Sequence, residues 1–461
     1  MVPDRLQNLF PEAVTDLARR FADEGHPLYL VGGSVRDALL DRSNSDLDFT
    51  TSALPDLIER IGSEWAHSTY VAGKAFGTIG LVRDHAIHEI TTFRSEVYRD
   101  ESRKPRVTFS ESLTEDLSRR DFAVNAMALR VPVADEPPEM VDPFGGLTDL
   151  AGRVLRTPMD PEVSFGDDPL RMLRLFRFVS TLGFAADPEA FDAVIRMRER
   201  LSIVSAERIR AEFDKLMTGE NVEVALEGLV ASGLASEFIP EIPALAVEQD
   251  PIHRHKDVLA HTIAVVGKTD EDNLRLRLAA LFHDIGKPAT REFGPGGVSF
   301  HHHEVVGARM TRKRMHDLRY SKDVMDDVAN LVFLHMRPHT YKMGWTDSAV
   351  RRYVRDAGPL LEDLNQLVRS DVTTRNERRA RTIARRIDDL EGRIAELSER
   401  EELDRLRPPI DGNDVMAYLG LSPSREVGEI MDMLLERRIE DGPYSEDEAY
   451  AMLDDWRKRD T

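Results

Sequence analysis

The hydrophobic pattern changes character along the chain, and this change limits the fold more than any other feature. In the first third, short runs of the β type at 28–31, 77–82 and 87–93 alternate with helical stretches. Beyond about residue 150 the apolar residues recur with helical spacing. The sequence therefore predicts an α+β protein, with a mixed-sheet domain first and all-α domains after it.

Size and composition indicate a multidomain protein. The chain has 461 residues, enough for several domains with their own cores. No apolar run approaches the roughly 18 residues of a membrane helix, cysteine is absent, and the N-terminus has no signal-peptide pattern. We therefore expect a cytoplasmic protein with no membrane partner. The net charge of −21 is an average, so it does not decide whether nucleic acid binds, and the oligomeric state stays open.

A glycine turn follows the first predicted strand. Gly32, Gly33 and Ser34 come directly after 28–31, and a helical stretch that contains Arg36 follows them. Two glycines let backbone amides approach a phosphate, and Ser34 is expected to cap the helix whose positive end faces that anion. Gly-Gly turns also occur without any ligand, so the turn by itself leaves both interpretations open.

An Asp-x-Asp pair stands about a dozen residues further on, at Asp46 and Asp48. Alternate side chains of a strand share a face, so the two carboxylates are predicted to lie side by side. A divalent cation offsets their repulsion, and magnesium prefers such oxygen ligands. One ion would activate an attacking hydroxyl while another neutralises a leaving pyrophosphate. A polar surface strand or an Asx turn is the alternative.

Together these motifs resemble the polymerase-β-like nucleotidyltransferase superfamily. Within it, the chain resembles class II CCA-adding enzymes, which are tRNA nucleotidyltransferases, and bacterial poly(A) polymerases. The resemblance continues through 119–128 (RRDFAVNAMA), 142–150 (DPFGGLTDL), 167–174 (DDPLRMLR) and 206–213 (AERIRAEF). It covers about residues 28–216.

The resemblance implies specific roles in the first two domains. Glu89 would be a third catalytic carboxylate beside Asp46 and Asp48, although the residues alone also allow Glu89 to pair with Arg94 or face solvent. Asp121, Asn125 and the arginines would hold the ribose and the triphosphate. The full set implied to bind nucleotide is Gly32, Gly33, Ser34, Arg36, Arg120, Asp121, Asn125, Asp168, Arg171 and Arg174.

Asp168 and Arg171 are the candidates for choosing the base. They are three residues apart near a predicted helix start and are expected to share a face. Cytosine and adenine each present an amino donor beside a ring-nitrogen acceptor, so one carboxylate and one guanidinium satisfy both bases. A helix-capping salt bridge between the two side chains is the alternative.

Two segments favour CCA addition over poly(A) synthesis. The segment 73–79 (GKAFGTI) is similar to the CCA type, and 94–109 resembles the flexible loop of enzymes that add all three nucleotides. The resemblance therefore implies an enzyme that adds C, C and A to the 3′ end of tRNA from CTP and ATP. Poly(A) synthesis is the alternative activity.

A second constellation begins near residue 255. His261, His283, Asp284, His303, His335 and Asp371 follow the order found in HD-superfamily metal hydrolases. Imidazole with carboxylate suits nickel, manganese, zinc or iron, although single histidines on apolar helices are usually core residues. The resemblance implies a metal-dependent phosphohydrolase acting on phosphomonoesters or cyclic phosphates. An HD phosphohydrolase whose head only senses nucleotide is a further alternative.

Four domains follow from these observations. We predict a nucleotidyltransferase head at 1–150 and a helical neck with nucleotide-selecting and RNA-binding elements at 151–245. An HD domain is predicted at 246–400, and a helical tail that contacts tRNA at 401–461.

Overall fold

The computed structural model describes residues 6, 9–42, 47–97, 106–133, 136–246, 257–294, 297–341, 345–372, 377–401 and 406–459. The chain divides into two compact units, Met1–Pro243 and Ala244–Thr461. Across the described residues, no helix has both the length and the apolar character needed to cross a bilayer.

A mixed sheet forms the centre of the first unit. Its described strands are β1 (Leu28–Val31), β2 (Leu47–Thr51), β3 (Ser68–Tyr70), β4 (Thr78–Arg83), β5 (Ala86–Thr92), β8 (Ala128–Arg130) and β9 (Glu139–Val141). They are ordered β3-β4-β5-β2-β1-β8-β9, with β2 parallel to β5 and the other neighbours antiparallel. β6 (Arg94–Val97) and β7 (Arg106–Phe109) form a separate antiparallel pair. The predicted mixed sheet and its three predicted strands are confirmed.

The two faces of this sheet differ in burial. On the core face Phe49, Ile79 and Ile90 are buried, against α1 (Glu12–Asp23) and α3 (Pro55–Trp65). Helix α1 is amphipathic, and its buried stripe consists of Val14, Leu17, Ala18 and Phe21. The opposite face, which we call the open face, carries exposed polar side chains along β2 and β5. The short helix α2 (Gly33–Leu39) links β1 to β2.

Helices complete the first unit. They are α4 (Leu113–Ser118), α5 (Gly146–Gly152), α6 (Pro161–Asp167), α7 (Leu170–Leu182), α8 (Pro188–Met197), α9 (Ala206–Met217) and α10 (Val222–Ala231). Asp160 and Asp187 accept backbone N–H groups at the starts of α6 and α8, each with proline in the first turn. The buried helix α7 packs against α9 and α10.

The second unit is mostly helical. Its described helices are α11 (Val258–Gly267), α12 (Leu274–Phe282), α13 (His303–Asp317), α14 (Lys322–Leu334), α15 (Asp347–Ala357), α16 (Leu361–Ser370), α17 (Glu377–Glu401), α18 (Gly412–Leu419), α19 (Arg425–Asp441) and α20 (Glu446–Arg459). One stripe of α17 is buried, formed by Ile387, Leu390, Ile394 and Leu397. A separate core joins α18, α19 and α20 through Val415, Ile430 and Leu453.

The expectation of only helices after residue 150 is wrong in two places. Val154–Leu155 (β10) pairs in parallel with Ala185–Ala186 (β11), beside α7. Arg291–Gly294 (β12) and Gly297–Phe300 (β13) form an antiparallel hairpin. Proline and glycine at positions 294–297 (GPGG) interrupt helical spacing and favour such a turn. The α+β class is unaffected, because these ladders are short and lie outside the main sheet.

Candidate nucleotide and metal sites

The open face carries two of the predicted catalytic carboxylates. Asp48 on β2 is the register partner of Glu89 on the parallel strand β5, and both side chains are exposed. Register partners on adjacent strands project from the same face, roughly 5 Å apart. Asp46 lies outside the described residues. The register therefore brings Glu89 beside Asp48, a pairing of oxygen donors that fits a hard divalent cation.

Ser34 contributes differently from the prediction. Helix α2 begins at Gly33, its N-cap is Gly32, and no side chain caps it, so the expected capping role of Ser34 is wrong. The buried hydroxyl of Ser34 instead accepts a hydrogen bond from the backbone N–H of Asp48 at 3.3 Å. This bond fixes the start of β2 against the glycine turn, at the predicted catalytic residue Asp48.

The glycine turn lies against Arg120. Gly32 has φ +71°, and a Cβ at this position would stand 2.8 Å from Arg120 Nη1, so both conformation and space require glycine here. Arg119 and Arg120 in turn form ion pairs with the fully buried Asp116 at 2.8 Å and 3.4 Å. Burial alone would raise the pKa of Asp116, but the two guanidinium groups outweigh it and lower that pKa. The buried, ionised carboxylate of Asp116 therefore holds Arg120 at the turn.

A chain of hydrogen bonds joins the turn to the neck. Arg36 donates to Asn125 Oδ1 at 2.7 Å, and Asn125 donates to Asp121 Oδ1 at 2.9 Å. Asp121 Oδ2 accepts from Arg174 Nε at 2.8 Å. Burial would raise the pKa of Asp121, yet Arg174 and Asn125 lower it, so the carboxylate is ionised. The structure thus connects four of the predicted nucleotide-binding residues, although they come from three separate segments.

Two residues that the prediction did not include extend this chain. Glu212 on α9 pairs with Arg174 at 3.2 Å and with Arg177 at 2.9 Å. The guanidinium groups of Arg36, Arg174 and Arg177 lie 5.1, 5.5 and 4.0 Å from the centroid of the Phe178 ring. Burial and the nearby positive charge of Arg174 lower the pKa of Arg177 to about 10. The carboxylate of Glu212 raises this pKa, but it offsets only part of the decrease.

No ion pair joins the Asp168 and Arg171 side chains in the described part of the chain, although the Arg171 backbone N–H donates to the Asp168 carbonyl oxygen at 3.0 Å. Asp168 lies between α6 and α7, where Oδ1 accepts from the Leu170 N–H and Oδ2 pairs with Arg208 of α9 at 2.8 Å. Arg171 is buried and donates to Ser164 Oγ at 2.9 Å and to the carbonyl oxygen of Arg119. The second bond links this predicted base-selecting residue directly to the segment that holds Arg119 and Arg120, which are predicted to bind phosphate.

The six predicted ligands of the second unit come together in two groups. His261 on α11, His283 after α12 and Asp371 after α16 place their ligand atoms within 4.8 Å of one another. Asp284, His303 at the start of α13 and His335 after α14 form the other group.

Asp284 lies between the two groups. Its Oδ2 is 3.2 Å from His283 Nε2 and 3.7 Å from His261 Nε2, and its Oδ1 is 3.5 Å from His303 Nε2. Lys287 Nζ also lies 2.6 Å from Asp284 Oδ2. One buried carboxylate therefore faces both groups, as a bridging ligand would.

The imidazole rings are oriented as metal ligands. The Nδ1 atoms of His283, His303 and His335 lie 2.6 to 2.9 Å from backbone carbonyl oxygens, so each Nδ1 carries the proton and donates it. Burial lowers the pKa of His303, and lowers that of His335 to about 3, so both rings are neutral near pH 7. Their Nε2 lone pairs then face each other at 3.4 Å. Two such lone pairs repel unless a cation lies between them, so the donor set fits a metal.

His283 gives a second indication. Its Nε2 atom is buried and lies 3.2 Å from Asp284 Oδ2, but not at the angle of a hydrogen bond, and no other described residue bonds to it. A buried polar atom without a partner is costly, and a metal ion would satisfy it. Burial would lower the pKa of His283, but the adjacent Asp284 outweighs it and raises that pKa.

Three family profiles match parts of the chain. The sequence profile of the family described as "Poly A polymerase head domain" matches residues 28–156. A profile described as "Probable RNA and SrmB- binding site of polymerase A" matches 183–245, and one described as "HD domain" matches 256–400.

Curated relatives match part of the chain. The CCA-adding enzyme of Bacillus velezensis is 41% identical over 223 residues, which are 48% of this chain and 53% of that protein. The CCA-adding enzyme of Bacillus subtilis is 41% identical over 234 residues, 50% of this chain and 56% of that protein. The chain thus spans about half the length of the curated relatives it matches.

Solved structures share the fold over the whole chain. The crystal structure of the Bacillus stearothermophilus CCA-adding enzyme in complex with CTP covers 99% of both chains, with a TM-score of 0.70 and 24% identity. A CCA-adding enzyme with ATP gives a TM-score of 0.63 at 16% identity. Residues 28–156 and 183–245 are therefore similar to the head and RNA-binding domains of poly(A) polymerases, residues 256–400 are similar to HD domains, and the chain shares its fold with CCA-adding enzymes.

Proposed function

We propose that this protein adds C, C and A to the 3′ end of tRNA, taking the nucleotides from CTP and ATP. The register pairing of Asp48 with Glu89 carries the proposal, because it places two acidic side chains on the open face next to the glycine turn. The relatives named CCA-adding enzyme support the choice of substrate. The head, neck, HD and tail boundaries at 150, 245 and 400 are part of the same proposal.

The protein residues have distinct tasks in this reaction. Asp46, Asp48 and Glu89 would hold magnesium, which when bound lowers the pKa of an attacking hydroxyl and neutralises a leaving pyrophosphate. Gly32, Gly33 and Arg120 would hold the triphosphate, since the turn lies against a guanidinium that Asp116 positions.

Base choice would lie with Asp168 and Arg171. The Asp168 carboxylate would accept from the amino group of cytosine or adenine, while Arg171 donates to the ring nitrogen. Arg36, Asp121, Asn125 and Arg174 would hold the ribose and phosphates through their shared bonds. Uracil and guanine present the opposite donor and acceptor pattern, so they would be rejected.

Primer extension tests the proposal. A tRNA that ends before its CCA is incubated with each nucleotide singly and with CTP and ATP together. We expect two C additions with CTP alone, and a complete CCA end with both. Asp48→Asn should reduce the rate at least about a thousandfold, because removal of one preorganised charge group at a reacting centre costs about this much.

A matched control uses Asp84→Asn. Asp84 is an exposed carboxylate in the turn between β4 and β5, and its positive φ of 51° suits asparagine. This variant should retain full activity. Long A tails without incorporation of C would contradict CCA addition and favour poly(A) synthesis, to which the description of the head domain also points.

For the second unit we propose a metal-dependent phosphohydrolase acting on phosphomonoesters or cyclic phosphates. The facing Nε2 atoms of His303 and His335 and the bridging position of Asp284 support it. Nickel, manganese, zinc or iron would activate water when bound. Hydrolysis of p-nitrophenyl phosphate and of 2′,3′-cyclic AMP, assayed with each metal, should disappear in Asp284→Asn and persist in Asp48→Asn. No hydrolysis by the metal-loaded wild type would contradict the proposal.

A further inference from the structure

The row of side chains that begins with Asp48 and Glu89 continues across the open face. Glu89 is the register partner of Gly80 on β4, and Gly80 is the partner of Tyr70 on the edge strand β3. Register partners share a face, so Asp48, Glu89, Gly80 and Tyr70 form one line. Tyr70 therefore stands on the same surface as the proposed catalytic carboxylates.

Tyr70 has an unusual environment for an aromatic side chain. It is 60% exposed, and the row places a glycine beside it. A Cβ at position 80 would lie 3.4 Å from the Tyr70 Cβ and 3.8 Å from its Cδ2, so one edge of the ring lies beside Gly80. The exposed Ile87, two residues before Glu89 on β5, adds apolar surface to the same face. The open face thus combines two carboxylates with an accessible ring.

The direction of this row indicates which substrate passes over Tyr70. The glycine turn and Arg120 lie at the end of β1, on one side of β2, whereas β5, β4 and β3 follow on the other side. In nucleotidyl transfer the carboxylate-held centre lies between the triphosphate and the attacking 3′ hydroxyl. If the triphosphate lies on the β1 side, the RNA must approach from the β3 side.

We propose that Tyr70 is a stacking platform for an unpaired base of the RNA primer near its 3′ end. This inference rests on the proposed function. Three strand spacings of about 4.8 Å place Tyr70 about 14 Å from Asp48. Stacked nucleotides rise about 3.4 Å each, so the stacked base lies within about four nucleotides of the reacting end. Aromatic stacking tolerates any base, which suits a primer whose last bases change during addition.

Steady-state kinetics with Tyr70→Ala and Tyr70→Phe test the proposal. With tRNA lacking CCA as the varied substrate, Tyr70→Ala should raise the KM for tRNA about fivefold or more, the usual effect of losing one base stack. The KM for CTP and kcat should stay within about twofold of wild type. Tyr70→Phe keeps the ring and should resemble wild type.

Leu54→Ala is the matched control. Leu54 is 55% exposed in the same unit, at the start of α3, and lies outside the row. Its KM for tRNA should equal that of wild type. Melting temperatures of all variants should agree, since both positions are on the surface.

A modified primer locates the base. Primers with one abasic nucleotide at each of the last four positions should include one that raises the wild-type KM about fivefold and leaves the KM of Tyr70→Ala unchanged. The inference is overturned if Tyr70→Ala behaves like Leu54→Ala, if Tyr70→Phe loses as much as Tyr70→Ala, or if the KM for CTP rises instead. A wild type that adds no nucleotide would overturn the proposed function as well, so the two failures are distinguishable.

Discussion

Replacing Glu401 with glutamine is expected to destabilise the second unit by about 3 kcal/mol at neutral pH. The side chain of Glu401 is only 3% exposed, and its carboxylate accepts two hydrogen bonds from the Arg351 guanidinium, at 2.8 and 3.1 Å. Arg438 of α19 adds a pair at 3.3 Å and Arg400 one at 2.8 Å. This carboxylate therefore connects α15 and α17 to the tail helix α19.

The magnitude follows from the pKa of Glu401. Burial would raise this pKa, but hydrogen bonds from Arg351 and Arg400 outweigh burial and lower it from 4.5 to about 2. Each unit corresponds to about 1.4 kcal/mol, so the ionised form contributes about 3 kcal/mol. Because the pKa is depressed in the folded state, the contribution is complete above about pH 4.5 and is lost as the pH falls toward 2.

Urea unfolding of wild type and Glu401→Gln at several pH values measures this contribution. The difference in the free energy of unfolding should be about 3 kcal/mol at pH 7 and about half of that at pH 3. Glu399→Gln, an exposed neighbour on the same helix, should match wild type throughout. A difference that is equal at pH 7 and pH 3 would refute the reasoning, because the loss would then not come from the ionised carboxylate.

Three other changes test the two sites. Glu212→Gln should destabilise the protein by up to about 3 kcal/mol in urea unfolding, since the buried Arg177 loses its carboxylate partner; an unchanged unfolding midpoint would contradict this. Arg208→Met should lower the preference for CTP over UTP about tenfold, measured as the ratio of kcat/KM values, because Asp168 loses the partner that fixes it; an unchanged ratio would separate Asp168 from base choice. Asp284→Asn should abolish transition-metal binding, measured by metal analysis of the purified protein, while Asp48→Asn retains it; retention of metal by both variants would exclude Asp284 as a ligand.

Local sequence patterns predict the individual strands of the head. They do not predict which strands pair, because pairing depends on contacts between distant parts of the chain. The strands at 28–31, 77–82 and 87–93 follow from alternation and composition alone. The pairing of β2 with β5 does not, because these strands are separated by α3, β3 and β4. Glu89 was therefore a candidate from resemblance only, and the register is what places it beside Asp48.

The wrong expectation for Ser34 has a local cause, and Asp116 carries a local signal in the sequence. Ser34 was expected to cap α2, but Gly32, with φ +71°, takes the capping position and leaves Ser34 inside the helix. Asp116 is not among the predicted site residues, although its position, three and four residues before Arg119 and Arg120, has the usual spacing of helical ion pairs. Glu212 had no comparable signal, because its partners lie on a different helix.

The contacts of Asp116 connect Arg171, the proposed base-selecting residue, to β2, which carries the proposed catalytic residue Asp48. Arg171 donates to the carbonyl oxygen of Arg119, and the Arg119 guanidinium pairs with Asp116. The Asp116 carboxylate also lies 3.5 Å from the hydroxyl of Thr50, which is on β2 two residues after Asp48, and accepts from the backbone N–H of Arg94 at the start of β6. A shift of Arg171 on binding the wrong base would therefore reach β2 through only two intervening residues. We expect discrimination to appear in kcat as well as in KM, because the same bonds that hold the base-selecting guanidinium also position the carboxylate strand.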